Sequence, residues 1–183
     1  MALQGKLRTP DRFITTHDAS GKAIIDTTIP STAPFYSLGE GDASFATCYV
    51  TSQFPVNLNN GADTAAYQSF LSNPPGLTVS TGTVLRYVDM PPGATSPMHR
   101  TVSLDYGVVL EGEVELVLDS GETRVMKRGD ICVQRGTMHA WRNCSQTEWV
   151  RMLYVLQPSQ PVVVDGKELG EDYGGMKGVK HSE

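Results

Sequence analysis

His99 and His139 are the side chains in this sequence best placed to do chemistry. His99 is followed at steps of two by Thr101, Ser103 and Asp105, and His139 by Trp141 and Asn143. Successive side chains of a β-strand point to opposite faces, so each set shares one face where its segment is extended. Imidazole titrates near neutrality and is a common metal ligand, and a nearby carboxylate can assist in either role. His17 and His181 lie outside any such pattern and read as surface residues. Cys48, Cys132 and Cys144 have no neighbouring base in sequence, which argues against a catalytic thiol.

The elements that must position these groups are strands. Residues 83–90 are rich in β-branched and apolar side chains, and Pro91-Pro92-Gly93 turns the chain towards His99. Residues 107–118 supply one or two strands, Asp119-Ser120-Gly121 is a hairpin signal, and 123–127 is the return strand. Arg128-Gly129-Asp130 turns into Ile131-Cys132-Val133, and 148–156 closes the set before Pro158. Short strands punctuated by glycine describe a barrel or jelly roll. Upstream, 22–29 and 44–51 read as strands with a turn-like stretch over 30–42. Residues 62–72 carry Ala62, Ala65, Ala66, Phe70 and Leu71 at helical spacing, stopped by Pro74-Pro75-Gly76. This predicts one short amphipathic helix outside the barrel. The glycine-rich stretch from Ser159 reads as an irregular tail, folding over the barrel mouth or a partner subunit.

The chain has 183 residues, one domain's worth. It carries 15 basic and 20 acidic residues, net −5, without a basic run, which argues against nucleic-acid or anionic-membrane partners. Three cysteines without metal-ligand spacing fit reduced thiols. Residues 1–6 lack an apolar signal core, and no stretch approaches a membrane span. A cytoplasmic protein is expected.

Two segments resemble the paired motifs of the cupin superfamily. In the first, Gly93, His99 and Gly112 stand at the family's spacing, with Thr101 in place of the second histidine and Asp105 in place of the glutamate. In the second, Gly129, Gly136, His139 and Asn143 agree, Gln134 replaces a proline and the first spacer is one residue short. The runs His99-Arg100-Thr101, 103–107 and 134–143 are similar to small stand-alone cupins of fungal secondary-metabolite pathways. The resemblance covers 82–158. It implies an all-β fold, a single jelly-roll β-barrel; composition alone makes residues 1–81 an N-terminal strand arm and helix and 159–183 the tail. It also implies a homodimer, in which N-terminal strands extend a sheet across the interface.

The resemblance further points His99, Asp105 and His139 into the barrel. Two histidines and a carboxylate are the donor set of non-haem Fe(II) oxygenases, which leaves about three of six octahedral positions open. Fe2+ is the first expectation, with Mn2+, Zn2+ or no metal as alternatives. Thr101 then opens a coordination position, and its hydroxyl could hold a water or a substrate oxygen. Against this, aspartate is a methylene shorter than glutamate, so its carboxylate retreats by roughly 1.5 Å, whereas metal distances tolerate only about 0.2 Å. The same three groups without metal would form an acid–base cluster suited to dehydration, isomerisation or decarboxylation. Two further readings stay open: a non-catalytic cupin that binds a small ligand, and histidines that only pack the core. Arg86 is a candidate anchor for an anionic or phenolic substrate, or an exposed residue. Trp141, Tyr106, Tyr154 and Arg135 are candidates for the pocket wall. The expected activity is that of a tailoring enzyme, an oxygenase first and a lyase or isomerase second, on an aromatic or polyketide-type small molecule.

Overall fold

In a computed structural model of the chain, residues 5–39 and 43–182 are described; positions 40–42 of the turn-like stretch, residues 1–4 and the last tail residue, 183, lie outside them. The strands are β1 (Ile14–His17), β2 (Ala23–Asp26), β3 (Phe35–Ser37), β4 (Ser44–Val50), β5 (Val84–Met90), β6 (Ser103–Glu111), β7 (Glu113–Leu118), β8 (Thr123–Lys127), β9 (Ile131–Arg135), β10 (His139–Asn143), β11 (Val150–Pro158), β12 (Val162–Val164) and β13 (Lys167–Leu169). A helix, α1, spans Ala62–Ser72. Two antiparallel sheets dominate: six strands in the order β3-β4-β5-β11-β6-β9, and three in the order β10-β7-β8.

The sheets face each other because their strands alternate. Along β6, Ser103, Asp105, Gly107 and Val109 are buried while their neighbours are half-buried or exposed. Val109 from β6 and Met152 from β11 pack against Val114 of β7 and Trp141 of β10, which closes the jelly roll across its interior. The chain passes from one sheet to the other at Gly112, between β6 and β7. Its φ of +79° is open to glycine, and a Cβ there would stand 2.6 Å from Val150 Cγ2. No helix among the described residues is long and apolar enough to cross a membrane.

Outside the barrel, α1 has the predicted bounds but a different anchor. Ala62 and Ala65 are exposed, and the buried residue is Tyr67, whose hydroxyl donates to the Thr47 carbonyl at 2.8 Å. An aromatic ring buries more area than an alanine methyl, so Tyr67 sets which face turns inward. The arm is shorter and more paired than 22–29 predicts: β2 forms a hairpin with β1. The tail departs further from an irregular reading. β12 and β13 pair with Val164 opposite Lys167, so Asp165 and Gly166, at φ of +50° and +76°, form the two-residue turn that an Asp-Gly pair favours.

On the outer face of the large sheet the N-terminal arm covers an ion pair. Arg151 Nε and Nη2 donate to the two Asp89 carboxylate oxygens at 2.7 and 2.6 Å, and Arg151 Nη1 donates to the Arg8 carbonyl at 2.6 Å. The Asp89 side chain is fully buried. A buried carboxylate left without its partner costs about 3–5 kcal/mol. Arg151→Ala should lower the urea-denaturation free energy by about that amount. Adding Asp89→Leu to Arg151→Met should recover much of it. A loss below about 1 kcal/mol for the single variant would show that water reaches the pair.

Candidate functional site

His99 and His139 meet because their backbones are partners. The His99 N–H donates to the His139 carbonyl at 2.8 Å, and the His139 N–H returns to the His99 carbonyl at 2.9 Å, an isolated antiparallel bridge. A residue pair that exchanges both hydrogen bonds sets its Cα atoms about 5.5 Å apart with side chains on one face. The rings accordingly lie 4.3 Å apart, centroid to centroid, tilted by 46°.

One device orients both imidazoles. His99 Nδ1 lies 2.8 Å from the Pro97 carbonyl and His139 Nδ1 lies 2.9 Å from the Thr137 carbonyl, two residues back in each case. A carbonyl oxygen only accepts, so Nδ1 carries the proton in both rings and Nε2 is left as a lone pair. Neither Nε2 has a protein hydrogen bond among the described residues. Burial disfavours the charged form of both rings. It lowers the His99 pKa against the opposing Pro97 carbonyl, and together with the neighbouring His99 ring it pushes His139 down to about 3.

Both rings line a cavity of about 350 Å³. Trp141 meets His139 edge-on at 5.7 Å, and Tyr154 meets Trp141 at 5.9 Å, so these two form one aromatic wall. Thr101 and Asp105 also line the cavity. The Ser103 hydroxyl donates to Thr101 Oγ1 at 2.7 Å, and the Thr101 hydroxyl makes a long 3.4 Å contact to Asp105 Oδ2. Asp105 Oδ1 is buried with no partner among the described residues. Burial raises the Asp105 carboxyl to about 6, against the Ser103 and Thr101 hydroxyls and the Arg86 charge.

The three-ligand centre that the sequence resemblance implies is not formed by these side chains. Among the described residues no three His, Cys, Asp or Glu groups come together tightly enough to hold one ion. Asp105 is held back with Thr101 and Ser103, as its shorter side chain leads one to expect. Two adjacent imidazole lone pairs still suit a divalent ion as two neighbouring ligands, since neutral imidazole is the ligating form.

Arg86 is buried, with Val84 and Val88 on its strand face, and it lines the same cavity. Tyr106 is a correction: it is 42 % exposed and outside the cavity lining. Its neighbours Asp105 and Gly107 point inward, so the period of two turns Tyr106 out. Arg135 is exposed for the same reason, beside buried Gln134. Asn143 serves the scaffold instead. Its Nδ2 lies within 3.2 Å of the Met90, Pro91 and Glu148 carbonyls and its Oδ1 accepts from the Ser145 N–H, which fixes the loop into β11. His17 and His181 are exposed. Cys48 is buried with its thiol pushed up to about 11 by burial, and burial also raises the thiols of Cys132 and Cys144, so none is a ready nucleophile.

The tail, expected over the barrel mouth or a partner subunit, contributes particular residues that the sequence does not single out. Gly175, Met176 and Lys177 reach the cavity lining, and Gly174 explains how. A Cβ at Gly174, whose φ is +58°, would stand 2.0 Å from the Met98 carbonyl, so only glycine lets the tail lie against the residue before His99.

A raised carboxyl has a stability consequence. Asp105 binds its proton more tightly in the folded chain than in the unfolded one, so its contribution is complete below about pH 4 and is lost as pH rises through about 6. In metal-free protein, Asp105→Asn should therefore be more stable than the parent at pH 8, by on the order of 2–3 kcal/mol, and should converge with it near pH 4. Denaturant unfolding at the two pH values measures this. A constant difference between them would show that Asp105 is solvated.

Comparison with known proteins identifies the family. Residues 86–156 match the family described as the cupin domain. Phomopsin biosynthesis cluster protein C' of Diaporthe leptostromiformis is 54 % identical, over 90 % of this chain and 87 % of its own. Oryzines biosynthesis cluster protein J of Aspergillus oryzae is 45 % identical, over 91 % and 92 %. The Neurospora crassa protein named cupin-domain-containing oxidoreductase srdB is 40 % identical, over 92 % and 83 %. Similarity of that level along nearly the whole length, with both histidines paired inside a jelly roll, shows that this chain belongs to the cupin family.

Proposed function

We propose that the protein is a tailoring enzyme of oxidoreductase type, acting on a small aromatic or polyketide-type molecule held in the cavity beside His99 and His139. One observation carries the reading: two neutral imidazoles, each locked as the Nδ1–H form, leave paired Nε2 lone pairs in one enclosed space. The relatives support it, since several are named cupin-domain-containing oxidoreductases and others belong to fungal biosynthesis clusters. A divalent metal held by the two Nε2 atoms, iron ahead of manganese or zinc, would supply redox or Lewis-acid chemistry that side chains lack. The chain's own part is positional and protic. Trp141 and Tyr154 wall the cavity against water, and Asp105, titrating near 6, holds or accepts a proton close to operating pH.

A lyase or isomerase reading has one observation in its favour. Asp105 stands apart from the histidines as a group poised for proton transfer, which such chemistry needs and a third metal ligand would not supply.

The balance of the reaction separates the two. The metabolite that accumulates when the gene is inactivated should be converted by the purified protein with a change of oxidation level, a net gain or loss of hydrogen pairs or of oxygen atoms other than as water, read by mass spectrometry. Loss of water or carbon dioxide, or rearrangement without change in composition, contradicts the oxidoreductase reading. His99→Ala and His139→Ala should each lower turnover by at least about 100-fold. They should also release a stoichiometric divalent ion, measured by elemental analysis. Full turnover in either variant would remove the histidine pair from the chemistry.

A further inference from the structure

Arg86 is a buried cation without a counter-ion among the described residues. It is 2 % exposed, and its only hydrogen bond there is from Nη2 to the Gly76 carbonyl, at 2.8 Å. Its Nε–H is buried without a partner. Asp105 lines the same cavity and feels the Arg86 charge at a distance, but the two groups share no hydrogen bond. The guanidinium carbon stands 4.7 Å from the centroid of the Phe45 ring, a contact that stabilises a desolvated cation only in part. A buried charge that is neither paired nor fully hydrogen-bonded is costly, and an apolar residue of similar length would fold more cheaply in its place.

The cost has a use if the missing partner arrives with the substrate. Around Arg86 the cavity wall is apolar, including Phe45, Leu77, Val88 and Leu156. A guanidinium in such surroundings, with N–H groups to spare, is suited to an oxyanion on an apolar body. We propose that Arg86 is the substrate's anion receptor, and that the molecule taken by this site carries a carboxylate or an ionised phenolic oxygen on a small apolar, aromatic-sized frame. This rests on the His99–His139 cavity being the reaction site. The oxyanion anchors at Arg86 and the frame lies along the Trp141–Tyr154 wall. The reacting part of the molecule is thereby directed to the histidine pair, and Asp105, whose Oδ1 has no partner among the described residues, is left for a donor on the same molecule.

Three probes with one ring system test this by calorimetry on the full chain: naphthoate, naphthol and methyl naphthoate. An acidic probe should bind at least about tenfold tighter than the neutral ester, and which acidic probe does so tells carboxylate from phenolate. Arg86→Met should abolish the preference while melting at or above the parent temperature, because it removes a buried charge that has no counter-ion among the described residues. Arg86→Lys should retain part of the preference. Equal binding of all three probes, binding of none, or a preference that survives in Arg86→Met overturns the proposal. So does a fall in melting temperature with unchanged affinities, which would make Arg86 a structural residue; if Arg86→Met does not fold, the affinities are compared in Arg86→Gln. Affinity is read without turnover. An acid preference without redox chemistry would leave the receptor and remove the oxidoreductase reading, and redox turnover with equal probe binding would do the reverse.

Discussion

The site depends on two backbone hydrogen bonds. The reciprocal pair between His99 and His139 makes two residues forty positions apart into cross-strand neighbours and fixes their rings on one face. Everything around the pair serves to hold that crossing. Gly112 lets the chain change sheets between the two motifs, and Asn143 pins the loop that returns it to the large sheet. Gly174 lets the tail press on Met98, one residue from the crossing. Because these are main-chain constraints, the side chains at 99 and 139 are positioned independently of what they bind.

The interior electrostatics follow from what the barrel keeps out. Burial makes both histidines poorer bases and Asp105 a weaker acid, so in all three groups it favours the neutral form. Arg86 is the buried cation of the lining, beside the exposed Lys177 from the tail, and it stays charged because a guanidinium does not give up its proton near neutrality. A cavity with neutral donors at its centre and a fixed cation in its wall favours ligands that bring a negative oxygen and otherwise little polarity. Asp89 and Arg151, on the outer face of the same sheet, show the contrast: there both charges are supplied by the chain, and the ion pair holds the N-terminal arm.

Much of this is legible in the sequence, for local reasons. The bounds of Ala62–Ser72 follow from helical spacing that ends at two prolines, and β8 follows from a turn signal on either side. The motif glycines and histidines locate the barrel because their spacing reflects strand and turn lengths. Tyr106 and Arg135 are misplaced as pocket candidates although the sequence contains the remedy, since each adjoins a residue that must point inward. The Asp165-Gly166 hairpin is likewise a signal present but outweighed by the glycine-rich composition around it. What the sequence does not contain is distance across the barrel. Whether Asp105 reaches the histidines, and whether Arg86 finds an acid, depends on Thr101, Phe45 and Gly76 in packing that no spacing encodes.

The most direct test is nitrogen-15 NMR of the two imidazoles through a pH titration of metal-free protein. Both rings should be Nδ1–H forms that titrate below the ordinary histidine value of about 6.5, His139 the lower of the two with its pKa near 3, and the two Nε2 resonances should move together when zinc is added. Nε2–H forms, independent titration near the ordinary value, or a response of only one ring to zinc would contradict a paired, cavity-facing centre.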